Sequence, residues 1–141
     1  MSSKVTELST SDCELLLASL NIGRVAVVDN GYPLVFPINY KMALFGGKSV
    51  IAIRTRPDNV IDHSGRAVCF EIDGIDASHD GGWSVLVRGV LVESSPDPDH
   101  DTHPIDSEDR DAWRIIVPTH VSGRRVTNRS ARWSFHPAGY L

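Results

Sequence analysis

The sequence predicts a mainly β protein, a small antiparallel barrel of six to seven strands with only short helices. Three observations carry this expectation. Short runs rich in valine and isoleucine alternate with tight turns marked by Gly, Asn and Pro. Helical periodicity is confined to brief segments. Two strand-like runs, "VIAI" and "VLV", are apolar at successive positions, so both of their faces need cover. A closed sheet covers the inner face, and a second copy of the chain is the economical cover for the outer one.

"STSDCELLLASLNIG" reads as a short helix: Ser11 and Glu14 have capping-box spacing, Leu15, Leu16 and Leu20 recur near the helical period, and Gly23 falls past the end. "RVAVVD" is the first strand, and "DNGYP" turns the chain into "LVFPINYKMALF", where Pro37 marks an edge position or a bulge. "FGGKS" turns again into "VIAIRT". "NVIDHSG" reads as one or two helical turns, "AVCFEID" as the fourth strand, and "GGWSVLVRG" opens a fifth that continues through "VLVES". The tract "SPDPDHDTHPIDSEDRD" is strongly polar, and residues 97–111 read as a surface loop. "WRIIVP" and "RWSFHP" read as two last strands bracketing "SGRRVTNRSAR".

The 141 residues suit one domain with one core, spanning residues 1–141. A net charge of −4 argues against a general nucleic-acid binder. No apolar run approaches the roughly 20 residues that span a bilayer, so no membrane partner is expected. "MSSKVTELST" lacks an apolar signal core, which points to the cytoplasm. Cys13 and Cys69 lie far apart in unlike contexts and read as two thiols in a reducing compartment, with a disulfide as the alternative; neither has metal-ligand spacing.

Within "GGWSVLVRG", period two places Trp83, Val85 and Val87 on one face and Ser84, Leu86 and Arg88 on the other. A charged residue there needs an acceptor or water; an ion pair with one of the chain's acids and a ligand groove both satisfy Arg88. "IAIRTRPDN" gathers Arg54, Thr55 and Arg56 at a strand end before a turn through Asn59, and guanidiniums with turn amides suit a phosphate; the competing reading is a solvated turn. Arg124, Arg125, Arg129 and Arg132 form the most basic cluster, fitted either to an anionic ligand or to the acidic 97–111 tract. His100 and His103 sit among aspartates on an irregular stretch, which reads as a solvated loop rather than a metal site. No Ser-His-Asp spacing is visible, and no catalytic side chain is assigned.

The succession "GRVAVV", "PLVFPINY", "IAIRT", "AVCFEIDGID" and "GGWSVLVRG" resembles the actinobacterial flavin and deazaflavin branch of the pyridoxamine 5'-phosphate oxidase-like family, the FMN-binding split β-barrels. The resemblance runs from about Leu15 to Leu91 and returns at "VSGRRV". It implies a homodimer with two flavin sites between the subunits. It puts Arg54 and Thr55 on the flavin phosphate, with Arg56 and Asn59 in the turn beside them. Pro37, Ile38 and Asn39 would run along the isoalloxazine ring, and Trp83 and Ser84 would approach the cofactor, with Arg88 and Arg124 as further contacts. Relatives usually carry a glycine and then a lysine in the turn after "RT"; this chain has Pro57, Asp58 and Asn59. At 4 Å, Asp58 would repel a phosphate by about 1 kcal/mol even in bulk water.

The implied activity is a flavin-dependent oxidoreductase acting on an unidentified small molecule, with FMN as cofactor and the deazaflavin coenzyme as the alternative. The competing class is a non-catalytic carrier of flavin, deazaflavin or haem on the same barrel. Vitamin B6 metabolism proper ranks behind both, because a full set of substrate-phosphate residues is not visible.

Overall fold

The computed structural model describes residues 4–54, 65–76, 81–94 and 113–127. Its elements are β1 (Lys4–Glu7), α1 (Thr10–Ser19), β2 (Ile22–Asp29), β3 (Tyr32–Phe45), β4 (Lys48–Arg54), β5 (Ala67–Asp76), β6 (Gly81–Val92) and β7 (Trp113–Thr127). Asn30 and Gly31, both at positive φ, form the two-residue turn between β2 and β3, and Asp29 pairs with Tyr32 around it. Such turns carry the twist that antiparallel strands need, which is why Asn-Gly stands there. Gly46 and Gly47 repeat the device between β3 and β4.

All pairings are antiparallel, in the order β1-β7-β4-β3-β2-β5-β6, and a further β7–β6 pairing closes the ring. The fold is therefore a split β-barrel with one short helix, as the sequence predicts. β7 does the closing: residues 113–116 pair with β4, 115–126 with β6, and 124–127 with β1. A register shift at Arg88/Gly89 bends it on the way. Valine and isoleucine at every second position fill the interior, with Val25, Val27, Ile51, Ile53, Phe70, Ile72, Val85, Val87, Leu91 and Ile116 in one buried cluster.

Helix α1 packs on β7, β3 and β6. Cys13 and Leu17 are its buried residues, and the buried hydroxyl of Tyr40 donates to the Leu17 carbonyl at 2.6 Å. Burial of Cys13, aided by the neighbouring Asp12 charge, pushes its thiol pKa up. Cys13 and Cys69 are both free thiols.

Several expectations change. The helix is capped by Ser9, whose hydroxyl accepts from the Asp12 amide at 3.1 Å, so Ser11 lies inside the first turn and not at the cap. The apolar stripe is Cys13, Leu16 and Leu17, while Leu15 is exposed. Gly23 does not stop the helix. It lies within β2, where a Cβ would collide with the Phe70 ring. β1 was not foreseen, because its four exposed residues carry no alternating apolar signal. Arg124 and Arg125 lie in β7, and "WRIIVP" and "SGRRVT" are one strand.

β4 does have both faces buried, with Val50, Ile51, Ala52 and Ile53 all inaccessible. That cover already exists within one chain, so this strand by itself calls for no partner. Pro37 is an edge residue: β2 pairs with residues 32–39 of β3, but β4 pairs only with 40–45. The expected turns in "NVIDHSG", apart from its last residue Gly65, the 97–111 loop and the strand "RWSFHP" lie outside the described residues.

Candidate functional site

Most of the described polar residues singled out by the sequence fall on the outer wall of the barrel in two adjoining rows. Starting at Trp113, the pairing leads to Arg54, Asn39, Ile22, Asp73, Ser84 and Arg124. The steps Arg54–Asn39 and Ile22–Asp73 continue the observed registers just past their last paired residues. One circuit thus returns to β7 eleven positions further on, the stagger that a closed barrel with tilted strands requires. The adjoining row runs Pro37, Arg24, Glu71, Leu86 and Ser122.

Because the wall is curved, the residues of one row face different sides of the molecule. Arg54 and Asn39 lie on neighbouring strands, as do Ser84 and Arg124. Four strand steps of about 4.8 Å each separate Arg54 from Ser84. Arg88 is exposed on β6, opposite Cys69 on one side and His120 on the other.

Two candidates point inward. Ile38 packs against the core, so it offers the outer wall only its backbone. Trp83 also packs against the core, over Gly74: a Cβ at Gly74 would lie 2.5 Å from the indole nitrogen. Thr55, Arg56 and Asn59 lie outside the described residues, as do Arg129 and Arg132.

The flank of β3 beside Pro37 has a definite polarity. The Tyr40 amide donates to Asn21 on the β2 side at 3.0 Å. By alternation, the backbone groups of Pro33, Val35, Pro37 and Asn39 point the other way. The two prolines have no N–H, so this flank offers carbonyls and few donors.

The middle of the wall is charged. Arg24 donates to Asp73 at 2.6 Å and approaches Glu71 at 3.4 Å. Desolvation, followed by a hydrogen bond with Asp73 and that residue's charge, raises the Glu71 pKa from 4.5 to about 7, against the opposing pull of Arg24. Among the described residues, no group of three His, Cys, Asp or Glu side chains is placed to hold a metal ion. No helix among them is long and apolar enough to cross a membrane.

The sequence reading passed over three residues at the Arg54 end. Trp113, buried on β7 opposite Arg54, has the Arg54 guanidinium over its ring at 5.4 Å and the Lys41 ammonium at 5.0 Å. Arg114, only 6% exposed, donates to the Trp113 carbonyl at 2.8 Å and approaches Glu93 at 3.4 Å. The indole nitrogen of Trp113 is buried with no hydrogen-bond partner among the described residues. A lysine facing out of a strand next to a hairpin was the available signal for Lys41.

The comparisons agree with this architecture. Residues 9–125 match the family described as pyridoxamine 5'-phosphate oxidase. The chain is 30% identical over 137 residues to the uncharacterized protein Rv0080 of Mycobacterium tuberculosis, covering 87% of this chain and 86% of that one. Among solved structures, it is similar to the FAD binding protein from Mycobacterium smegmatis, with 31% identity, a TM-score of 0.63, and coverage of 86% of this chain and 98% of that chain. A FAD-binding protein from Mesorhizobium loti, at 21% identity, shares the fold, with a TM-score of 0.66 over 90% of this chain and all of that one. With the family match spanning most of the barrel, the chain belongs to the pyridoxamine 5'-phosphate oxidase family.

Proposed function

We propose that the protein binds a flavin nucleotide between two copies of itself and uses it to oxidise or reduce a small molecule. The observation that carries this reading is the split of the candidate residues over the outer wall. Arg54 and Asn39 lie on one side and Ser84 and Arg124 on another, so a single ligand touching both sets needs a second chain. The surface between them supports the same arrangement. Ile22, Val28 and Val35 face outward from β2 and β3 and are 58, 65 and 58% exposed. Exposed apolar residues gathered on one sheet face mark an interaction surface. The similarity to the M. smegmatis FAD binding protein supports a flavin as the guest.

The residues present fit such a guest. Arg54 supplies a cation for a phosphate. The carbonyl-rich flank at Pro37 and Asn39 supplies acceptors for the N–H edge of a ring system. When bound, the flavin would supply the hydride chemistry, and the chain would orient it and exclude water. FMN is the first choice, because one phosphate suits the Arg54 end, with FAD and the deazaflavin coenzyme as the competitors.

The test is absorbance of the purified protein, titration with FMN, FAD and the deazaflavin, and light scattering. The reading expects a flavin absorption band or saturable uptake of one of these, a mass of two chains, and reoxidation of the reduced complex by a small-molecule acceptor. Binding without turnover would make the protein a carrier. A monomer indifferent to all three cofactors would overturn the proposal.

A further inference from the structure

We infer that Lys41 is a phosphate-recognition residue, holding the flavin nucleotide's phosphate jointly with Arg54 over the Trp113 ring. This deepens the flavin reading above and rests on it. Lys41 leaves the outer face of β3, since its neighbours Tyr40 and Met42 face the core. It is paired with Ala52, the smallest residue on that stretch of β4. The short Ala52 side chain leaves Lys41 room to cross β4 and reach Trp113 on β7, where its ammonium lies 5.0 Å from the ring centre.

Arg54 reaches the same ring at 5.4 Å, so the two positive charges lie no more than about 10 Å apart, roughly one screening length in 0.1 M salt. Lys41 makes no ion pair among the described residues. Both side chains bring positive charge to one aromatic ring, and a phosphate arriving there is drawn by each of them. The aromatic face limits the freedom of both side chains before the ligand arrives, which lowers the entropy lost on binding. The stretch that follows β4 in the sequence, residues 55–64, contains no lysine. The neighbouring strand brings an ammonium to the end of that same strand.

The test compares FMN with riboflavin, which lacks the phosphate, in the full-length protein, in Lys41→Met, which keeps the aliphatic stem on Trp113, and in Lys41→Arg. Loss of one charge-assisted contact weakens FMN binding by about tenfold or more. Lys41→Met should therefore lose that factor for FMN and nothing for riboflavin, and Lys41→Arg should retain most of the preference. In the unmodified protein, added salt should weaken FMN binding and leave riboflavin binding unchanged, a readout that no folding defect can mimic. If Lys41→Met keeps the full FMN preference while Arg54→Ala loses it, the flavin reading stands and Lys41 is excluded. If the unmodified protein takes up FAD or the deazaflavin but neither FMN nor riboflavin, the Lys41 inference falls and the flavin reading stands; if it takes up none of the four, both readings fall.

Discussion

Arg24 on β2 donates a 2.6 Å hydrogen bond to Asp73 on β5, and the same guanidinium nitrogen approaches Glu71 at 3.4 Å. One cation thus serves two carboxylates on a single face. Asp73 beside Glu71 adds to desolvation in raising the Glu71 pKa, and Arg24 opposes both. Half-exposed ion pairs of this kind add little stability alone; their effect shows in its pH dependence.

Glu71 titrates near 7 in the folded chain and near 4.5 when unfolded. The folded state therefore holds a proton that the unfolded state releases. This contribution is fully present below pH 4.5 and is lost as the pH rises through about 7. Glu71→Gln should remove that slope and be the more stable protein at pH 8, by about 1 kcal/mol after allowing for solvent screening. Urea midpoints at pH 5, 6, 7 and 8 measure the difference, and parallel curves for the two proteins would refute it.

Tyr40 links the barrel to α1 through its buried bond to the Leu17 carbonyl. Tyr40→Phe keeps the ring on Phe70, packed edge-on at 4.7 Å, but deprives that carbonyl of its donor. The expected cost is about 1–2 kcal/mol. Hydrogen exchange should accelerate in α1 more than in β5 and β6; uniform acceleration would mean that the hydroxyl does not specifically fasten the helix.

Trp113→Phe should lie within about 1 kcal/mol of the parent, because the indole N–H it removes is buried with no acceptor among the described residues. Trp113→Ala leaves a cavity and should cost about 3–5 kcal/mol. Chemical denaturation of both variants decides the point, and a Phe variant as damaged as the Ala variant would show that the nitrogen does have a partner.

Val35→Asp places a charge on the exposed outer face of β3 without touching the core. It should leave the fold intact and halve the mass seen by light scattering, since burying an unpaired carboxylate in an apolar interface is costly. A dimer that survives the change would move the interface elsewhere.

The strands, the Asn-Gly turn and the alternation in "GGWSVLVRG" were legible in the sequence because they depend on neighbours one to four residues apart. Ser84 outward and Val85 inward follow from period two alone. Less was legible where the signal lies in partners distant in the chain. Gly23 looks like a helix stop until the Phe70 ring is set against it. β1 has no pattern of its own and is a strand only because β7 pairs with it. Lys41, Trp113 and Arg54 are spread over more than seventy positions of sequence and meet through two pairings of β4. Arg24 and the acids of "FEID" belong together only in the β2–β5 register.

By itself, the sequence determined that this chain makes short two-faced strands, where most of them turn, and which side chains each presents outward, because backbone geometry and local hydrophobic spacing suffice for that. Which outward residues become neighbours was decided by the closure and stagger of the barrel. Registers between distant strands come from packing of the whole core, and that packing sets Arg54 and Lys41 on Trp113 and Ser84 beside Arg124 on another side of the wall.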